Sequence, residues 1–167
     1  KEENFLKQVK GISDLKLRVS YGVTGNQSGI SNFAAKGLWS GGSGYPDNSS
    51  GDQPGTTPLQ LPNQDLQWER TSQSNLGIDL SLLNGRINLT ADVYRKYTSN
   101  LLLQLPKAGV TGFSSYYSNT GEISNKGYEI GVNTINISTP HSTWTTSFNI
   151  AGNRNRIEKL PTPIFQY

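Results

Sequence analysis

The feature that most constrains this chain is a strict alternation of apolar and polar residues on both sides of Asn84-Gly85. Leu76, Ile78, Leu80 and Leu82 alternate with Asn75, Gly77, Asp79 and Ser81. Ile87, Leu89, Ala91 and Val93 then alternate with Asn88, Thr90, Asp92 and Tyr94. A period of two sends successive side chains to opposite faces of a strand and cannot make an amphipathic helix. Asn-Gly is the dipeptide that best accepts positive φ at both central positions of a type I′ hairpin turn. A turn at 84–85 sets Leu82 against Ile87, Leu80 against Leu89, Ile78 against Ala91 and Leu76 against Val93. On the other face Ser81 meets Asn88, Asp79 meets Thr90, Gly77 meets Asp92 and Asn75 meets Tyr94. Apolar pairs share one face and polar pairs the other, and a slip of one residue would undo that sorting.

Weaker alternation marks further strands: Leu15, Leu17, Val19 and Tyr21; Tyr128, Ile130 and Val132; Trp144, Thr146, Phe148 and Ile150. Glu2 to Val9 has the pattern of one or two helical turns before Gly11. Two long loops are expected, about 25–66 and 99–118, the first rich in Gly, Ser and Pro. Between them come short turns at Asn84-Gly85 and from Thr139 to Ser142, so long and short connections alternate. An up-and-down meander would place all long loops on one side, as outer-membrane barrels do. The runs 72–83 and 86–97 also exceed the common 5–6 residues of globular strands and suffice for the roughly 9–11 of a tilted membrane crossing. Tyr21, Tyr94, Tyr97, Tyr128 and Trp144 fall near the ends of these strands, where interfacial aromatics sit.

Composition narrows the classes. The chain of 167 residues is 33% hydrophobic and 16% charged, against about 45–50% and 25% in an average soluble domain. The deficit is filled by small and uncharged polar residues, as in β-proteins. With no Cys there is no disulfide framework, thiolate metal site or cysteine nucleophile. No apolar run is long enough for a transmembrane helix. A net charge of +3 with scattered basic residues argues against nucleic acid. The opening Lys1-Glu2-Glu3-Asn4 lacks the layout of a signal peptide, and the absence of Met points to a processed chain or a piece of one.

Four stretches carry a resemblance. Leu15-Lys16-Leu17-Arg18-Val19-Ser20-Tyr21-Gly22-Val23-Thr24-Gly25-Asn26-Gln27 resembles a signature of the SusC/RagA family of TonB-linked outer-membrane transporters. So do Trp68-Glu69-Arg70-Thr71 with Asn75-Leu76-Gly77-Ile78-Asp79, and Asp92-Val93-Tyr94-Arg95-Lys96-Tyr97-Thr98. Asn119-Thr120-Gly121-Glu122-Ile123-Ser124-Asn125-Lys126-Gly127-Tyr128-Glu129 matches in wording and order. The resemblance covers nearly the whole chain and thins in 30–60 and after 155. It implies a barrel of twenty-two strands around a plug domain, energised through TonB, lidded by a SusD-like surface lipoprotein, and importing oligosaccharide or peptide. Residues 1–167 show neither plug nor TonB box. They are therefore expected to be a single barrel-wall segment from the C-terminal part, unable to transport alone.

A search for chemistry is less productive. His141 stands in a short turn without a second His or Cys, and reads as a solvated turn residue. Glu122 and Glu129 are an odd number of residues apart, on opposite faces of an unbroken strand, which suits no glycosidase pair. Asp47-Asn48-Ser49-Ser50-Gly51-Asp52 lacks the full calcium-loop pattern and reads as an ordinary turn. Sequons at Asn26, Asn48, Asn88 and Asn136 follow from composition. No cofactor, metal or catalytic residue is expected, and the chain is not an enzyme. Two groups are candidates for function. Asp79 and Asp92 share the polar face with Lys16 and Arg18 if their strands belong to one sheet, and in a closed barrel that face lines the lumen. Trp39 and Tyr45 in the first long loop, and Phe113, Tyr116 and Tyr117 in the second, offer rings to cargo or a partner.

The expected fold is all-β: an antiparallel up-and-down meander of about five strands of a transmembrane β-barrel. Its expected role is barrel wall in a nutrient importer of the bacterial outer membrane, in contact with lipid bilayer. The rival reading is a soluble β-sandwich that binds carbohydrate, which requires two apolar faces packed together.

Overall fold

The computed structural model describes residues 11–47 and 51–161. The helical turns expected at Glu2–Val9, and Asn48 to Ser50 of the calcium-like stretch, lie outside them. The described chain is all strand apart from turns and one 3₁₀ turn: β1 (Ile12–Asn26), β2 (Leu38–Asp47), β3 (Gly51–Gln60), β4 (Glu69–Leu82), β5 (Ile87–Pro106), β6 (Ser115–Ser138) and β7 (Thr143–Lys159). Five strands form one sheet in the order β1-β4-β5-β6-β7, and β2 pairs with β3.

The central hairpin has the expected register. Ser81 donates to Asn88, the hydroxyls of Thr71 and Thr98 meet at 2.9 Å, and a Cβ on Gly77 would strike Asp92, all matching a ladder that starts at Leu82 and Ile87. The turn differs in one respect. Leu83 also takes a left-handed φ of 53°, beside 56° at Asn84 and 85° at Gly85, so strand pairing ends one residue earlier than 83 and 86. Tethers to the start of β1 hold Leu83 there: its N–H donates to the Gly11 carbonyl at 2.9 Å, and the Asn84 N–H donates to the Ser13 hydroxyl at 2.6 Å.

The two long loops need correction. The 25–66 segment contains the β2–β3 hairpin, with Trp39 opposite Pro58 and Tyr45 opposite Gln53. It escapes detection by alternation because both its faces are wet, so no apolar periodicity is required. The 99–118 loop shrinks to residues 107–114, because β5 continues to Pro106 and β6 begins at Ser115. Asn100, at φ 57°, interrupts the alternation after Tyr97 and makes the strand look finished. Of the aromatics expected at strand ends, Trp144 stands at the start of β7, while Tyr21, Tyr94, Tyr97 and Tyr128 lie along their strands. Tyr94 faces the polar side as its register requires, since a Cβ on Gly127 would stand 2.7 Å from its ring.

A bulge between Gly41 and Ser43, with Gly42 at φ 93°, shifts the phase of β2. Opposed residues share a face, so Trp39 and Tyr45 point to opposite sides of this hairpin. Pro46, Pro54 and Pro58 lie within it.

The chain divides into two compact units. One comprises Lys1–Val23, Ser72–Tyr97 and Ser124–Arg156; the other comprises Thr24–Thr71, Thr98–Ile123 and Ile157–Tyr167. In the first, β4 contributes 72–82 and β5 contributes 87–97, which matches a tilted bilayer crossing of roughly 9–11 residues. Among the described residues its apolar stripe stays exposed. Leu17 is 68% exposed, Val19 79%, Leu76 51% and Phe148 58%, and among the described residues only Ala34 and Leu105 are buried hydrophobics. A sandwich would seal these side chains between sheets, so the rival soluble reading fails here. Expressed alone in detergent-free buffer, the 18.3 kDa chain is expected to associate through this stripe. Light scattering coupled to gel filtration checks this, and a stable monomer would contradict it.

Candidate functional site

On the polar face of the first unit, three of the four expected charges converge. Arg18 on β1 grips Asp79 on β4 with two parallel bonds, Nε to Oδ2 and Nη2 to Oδ1, both 2.9 Å. The same Nη2 donates to Asp92 Oδ2 on β5 at 2.9 Å. The fork of a guanidinium suits this double grip, which a lysine could not reproduce. Side-chain exposures of 41%, 33% and 34% leave all three groups within reach of water. Lys16 stands exposed on β1 and takes no part. Beneath the guanidinium lies buried Gly77, where a Cβ would come within 2.9 Å of Arg18 Cζ and collide with Asp92. The missing side chain is thus what lets an arginine from β1 cross β4 and reach β5. Further along, Asn75 Nδ2 donates to Ser20 at 2.9 Å, continuing polar bonds across the strands.

The second unit holds an open cleft of about 900 Å³ that sequence reasoning missed. Gln27, Ser28, Ser31, Asn32, Gln67 and Trp68 line it, and Trp68 is 63% exposed. Asn119 fixes the wall in both directions, donating to the Gln67 carbonyl at 2.7 Å and accepting from its N–H at 2.8 Å. Asn100 adds a bond to the Gln67 side chain at 3.0 Å. Below, Glu69 accepts from Asn26 at 2.9 Å and from the Leu102 N–H at 3.2 Å. The indole edge of Trp68 lies 3.7 Å from where a Cβ on Gly25 would be. Gly25, Asn26, Gln27, Trp68, Glu69 and Asn119 belong to stretches that carried the resemblance, but only the pairing of distant strands reveals that Asn119 and Gln67 meet.

The candidate aromatics do not form one group. Trp39 (68% exposed) and Tyr45 (57%) sit on strand β2 rather than in a loop, on opposite faces of its hairpin. Tyr116 and Tyr117 belong to β6, and only Phe113, half-buried, remains in a connection. Lys107 places its ammonium 5.4 Å from the Tyr116 ring centre, within cation–π range. The Tyr117 carbonyl accepts from Asn63 at 2.9 Å. Tyr116 thus packs under Lys107, whereas Tyr117 is tied through its backbone and its ring stays exposed. His141 is exposed in the turn between β6 and β7.

A test of the polar face follows from Gly77. Its replacement by Ala is expected to lower unfolding stability by about 1–3 kcal/mol, since guanidinium and carboxylate must both give way. Denaturant unfolding in detergent measures the loss, and an unchanged midpoint would show that the crossing is not tight.

Comparison with known proteins agrees with this geometry. The profile of the family described as TonB dependent receptor-like, beta-barrel matches residues 10–161. TonB-dependent receptor P39 of Formosa agariphila is 43% identical over 159 residues, covering 95% of this chain and 15% of that protein. TonB-dependent receptor SusC of Bacteroides thetaiotaomicron is 39% identical, over 96% of this chain and 16% of its own length. The RagAB peptide importer in its open-open state superposes with a TM-score of 0.80 at 30% identity, covering 98% of this chain and 17% of that one. The chain thus spans about one-sixth of the length of the relatives it matches. Together with the open two-faced sheet, these matches establish that the chain belongs to the TonB-dependent receptor β-barrel family.

Proposed function

We propose that this chain is a stretch of the barrel wall of a TonB-dependent nutrient importer in the bacterial outer membrane. The observation that carries the reading is the exposed apolar stripe on an antiparallel sheet without a core. Unpaired backbone groups in hydrocarbon each cost several kcal/mol, so such a sheet must be completed by further strands into a closed wall. Leu17, Val19, Leu76, Ile78, Leu80, Leu89 and Ile130 then meet acyl chains, while Arg18, Asp79 and Asp92 line the lumen with Lys16. The triad neutralises itself except for one negative charge, which leaves the lumen wall there weakly charged and well hydrated.

The remaining roles belong to the whole transporter. Energy arrives through TonB, and a SusD-like surface lipoprotein closes the outer mouth. The cargo is oligosaccharide or peptide: SusC and the RagAB peptide importer are both similar to this chain. Rings on the second unit (Trp39, Tyr45, Phe113, Tyr116 and Tyr117) offer stacking or docking surfaces to cargo or lid. Its function is transport, with no reaction at this wall.

Cysteine labelling tests the lipid-facing assignment, with the unsubstituted protein as background, since this stretch has no Cys of its own. In outer membranes carrying the full-length protein, Thr90→Cys is expected to react with a water-soluble maleimide and Leu80→Cys to resist it by at least tenfold in rate. Equal labelling at both positions would overturn the assignment.

A further inference from the structure

The apolar face of the first unit ends in a row of cations. A Cβ on Gly131 would meet the Thr90 hydroxyl, one on Gly127 would meet the Tyr94 ring, and the Ile135 N–H donates to the Arg86 carbonyl. These three contacts share one register, which sets Arg95 opposite Lys126. Gly152 lies against the Tyr128 ring, at 2.9 Å from a Cβ placed there, which sets Lys126 opposite Arg154. Parity places all three cations on the side of Val93, Tyr128 and Ile150, the apolar side. All three are exposed. One row inward, Val93, Tyr128 and Gly152 share a depression of about 420 Å³ with Lys126 and Arg154 at its edge. The Tyr128 ring, which covers Gly152, forms one wall of it.

Like charges directly opposite one another on a sheet repel. Among the described residues no ion pair joins any of the three to a carboxylate. Arg156, two residues beyond Arg154 on the same face, has a partner of its own and is not counted with them. The repulsion therefore calls for an anion from outside the chain. The row is also at a definite height: from Arg95 back to Ile87 the strand covers about 20 Å along a tilted barrel axis, close to the roughly 25 Å apolar band of such walls. It lies on the side away from the short turns at 83–86 and 139–142, and short turns face the periplasm.

We propose that Arg95, Lys126 and Arg154 form a binding site for the phosphate of a phosphorylated glycolipid of the outer leaflet, with the depression between Val93 and the Tyr128 ring receiving the first part of an acyl chain. The site rests on the outer-membrane reading above, and adds to it a specific lipid contact. Long basic side chains at a bilayer rim reach for any headgroup; three in one row above a hollow select a phosphate with its chain attached.

The test uses full-length protein in detergent, wild type beside the triple variant Arg95→Ser, Lys126→Ser, Arg154→Ser, titrated by native mass spectrometry. The probes are phosphorylated lipid A, dephosphorylated lipid A and inorganic phosphate. Each cation removed is expected to weaken retention of phosphorylated lipid A by about fivefold. Dephosphorylated lipid A is expected to bind at least tenfold more weakly to wild type, and millimolar phosphate to compete poorly. The double variant Arg95→Lys, Arg154→Lys keeps the charge and is expected to keep the lipid. Unchanged retention by the triple variant, equal binding of dephosphorylated lipid A, full competition by phosphate, or loss in the Lys variant would each overturn the site. Fractionation and heat-dependent gel mobility separate the two readings. Wild type recovered outside the outer membrane overturns both, whereas an outer-membrane triple variant that still holds lipid A overturns this site alone.

Discussion

The whole arrangement depends on a sheet whose apolar face finds no partner among the described residues. In a soluble domain that face would be sealed by a second layer, and its burial would drive folding. Here Val19, Leu76 and Phe148 stay half or more exposed, so their favourable environment must come from outside. The polar face does the opposite and satisfies itself sideways. Arg18 with Asp79 and Asp92, Ser20 with Asn75, and Ser81 with Asn88 link neighbouring strands through side chains as well as backbone. The ladder is thus held on the wet side while the dry side remains free to meet lipid.

Glycines set the fine geometry of that ladder. At Gly77 the absent Cβ opens a path for a guanidinium to span three strands. At Gly127 and Gly152 the gaps receive the rings of Tyr94 and Tyr128, one on each face. A large side chain leaning over a neighbouring glycine restores the packing that the glycine itself cannot give, and pins the register. The same device on opposite faces of β6 and its neighbours keeps three strands aligned without a core.

How much of this was readable in the sequence depended on which faces were two-sided. Between Leu76 and Val93 one face is dry and one wet, so the alternation, the register and the neighbourhood of Gly77 and Asp92 could all be derived before any coordinates. Arg18 joined them once β1 was placed beside β4. The β2–β3 hairpin left no such trace, because water bathes both sides and small polar residues serve equally on either, while the end of β5 hides its period in the unbroken run Leu101-Leu102-Leu103. Asn100 hid the continuation of β5 by breaking the phase for one residue. The cleft beside Trp68 was invisible for another reason: its wall joins residues 67 and 119 through asparagine side-chain bonds, which no local pattern announces.

The hairpin of β2 and β3 has a consequence for life at high density. Ten residues of strand with open flanks would ordinarily recruit an identical neighbour and seed a growing ribbon. Pro46, Pro54 and Pro58 interrupt the row of amide protons such recruitment needs, since an imide nitrogen has none to donate. Copies crowded side by side can therefore project these arms freely and remain individuals.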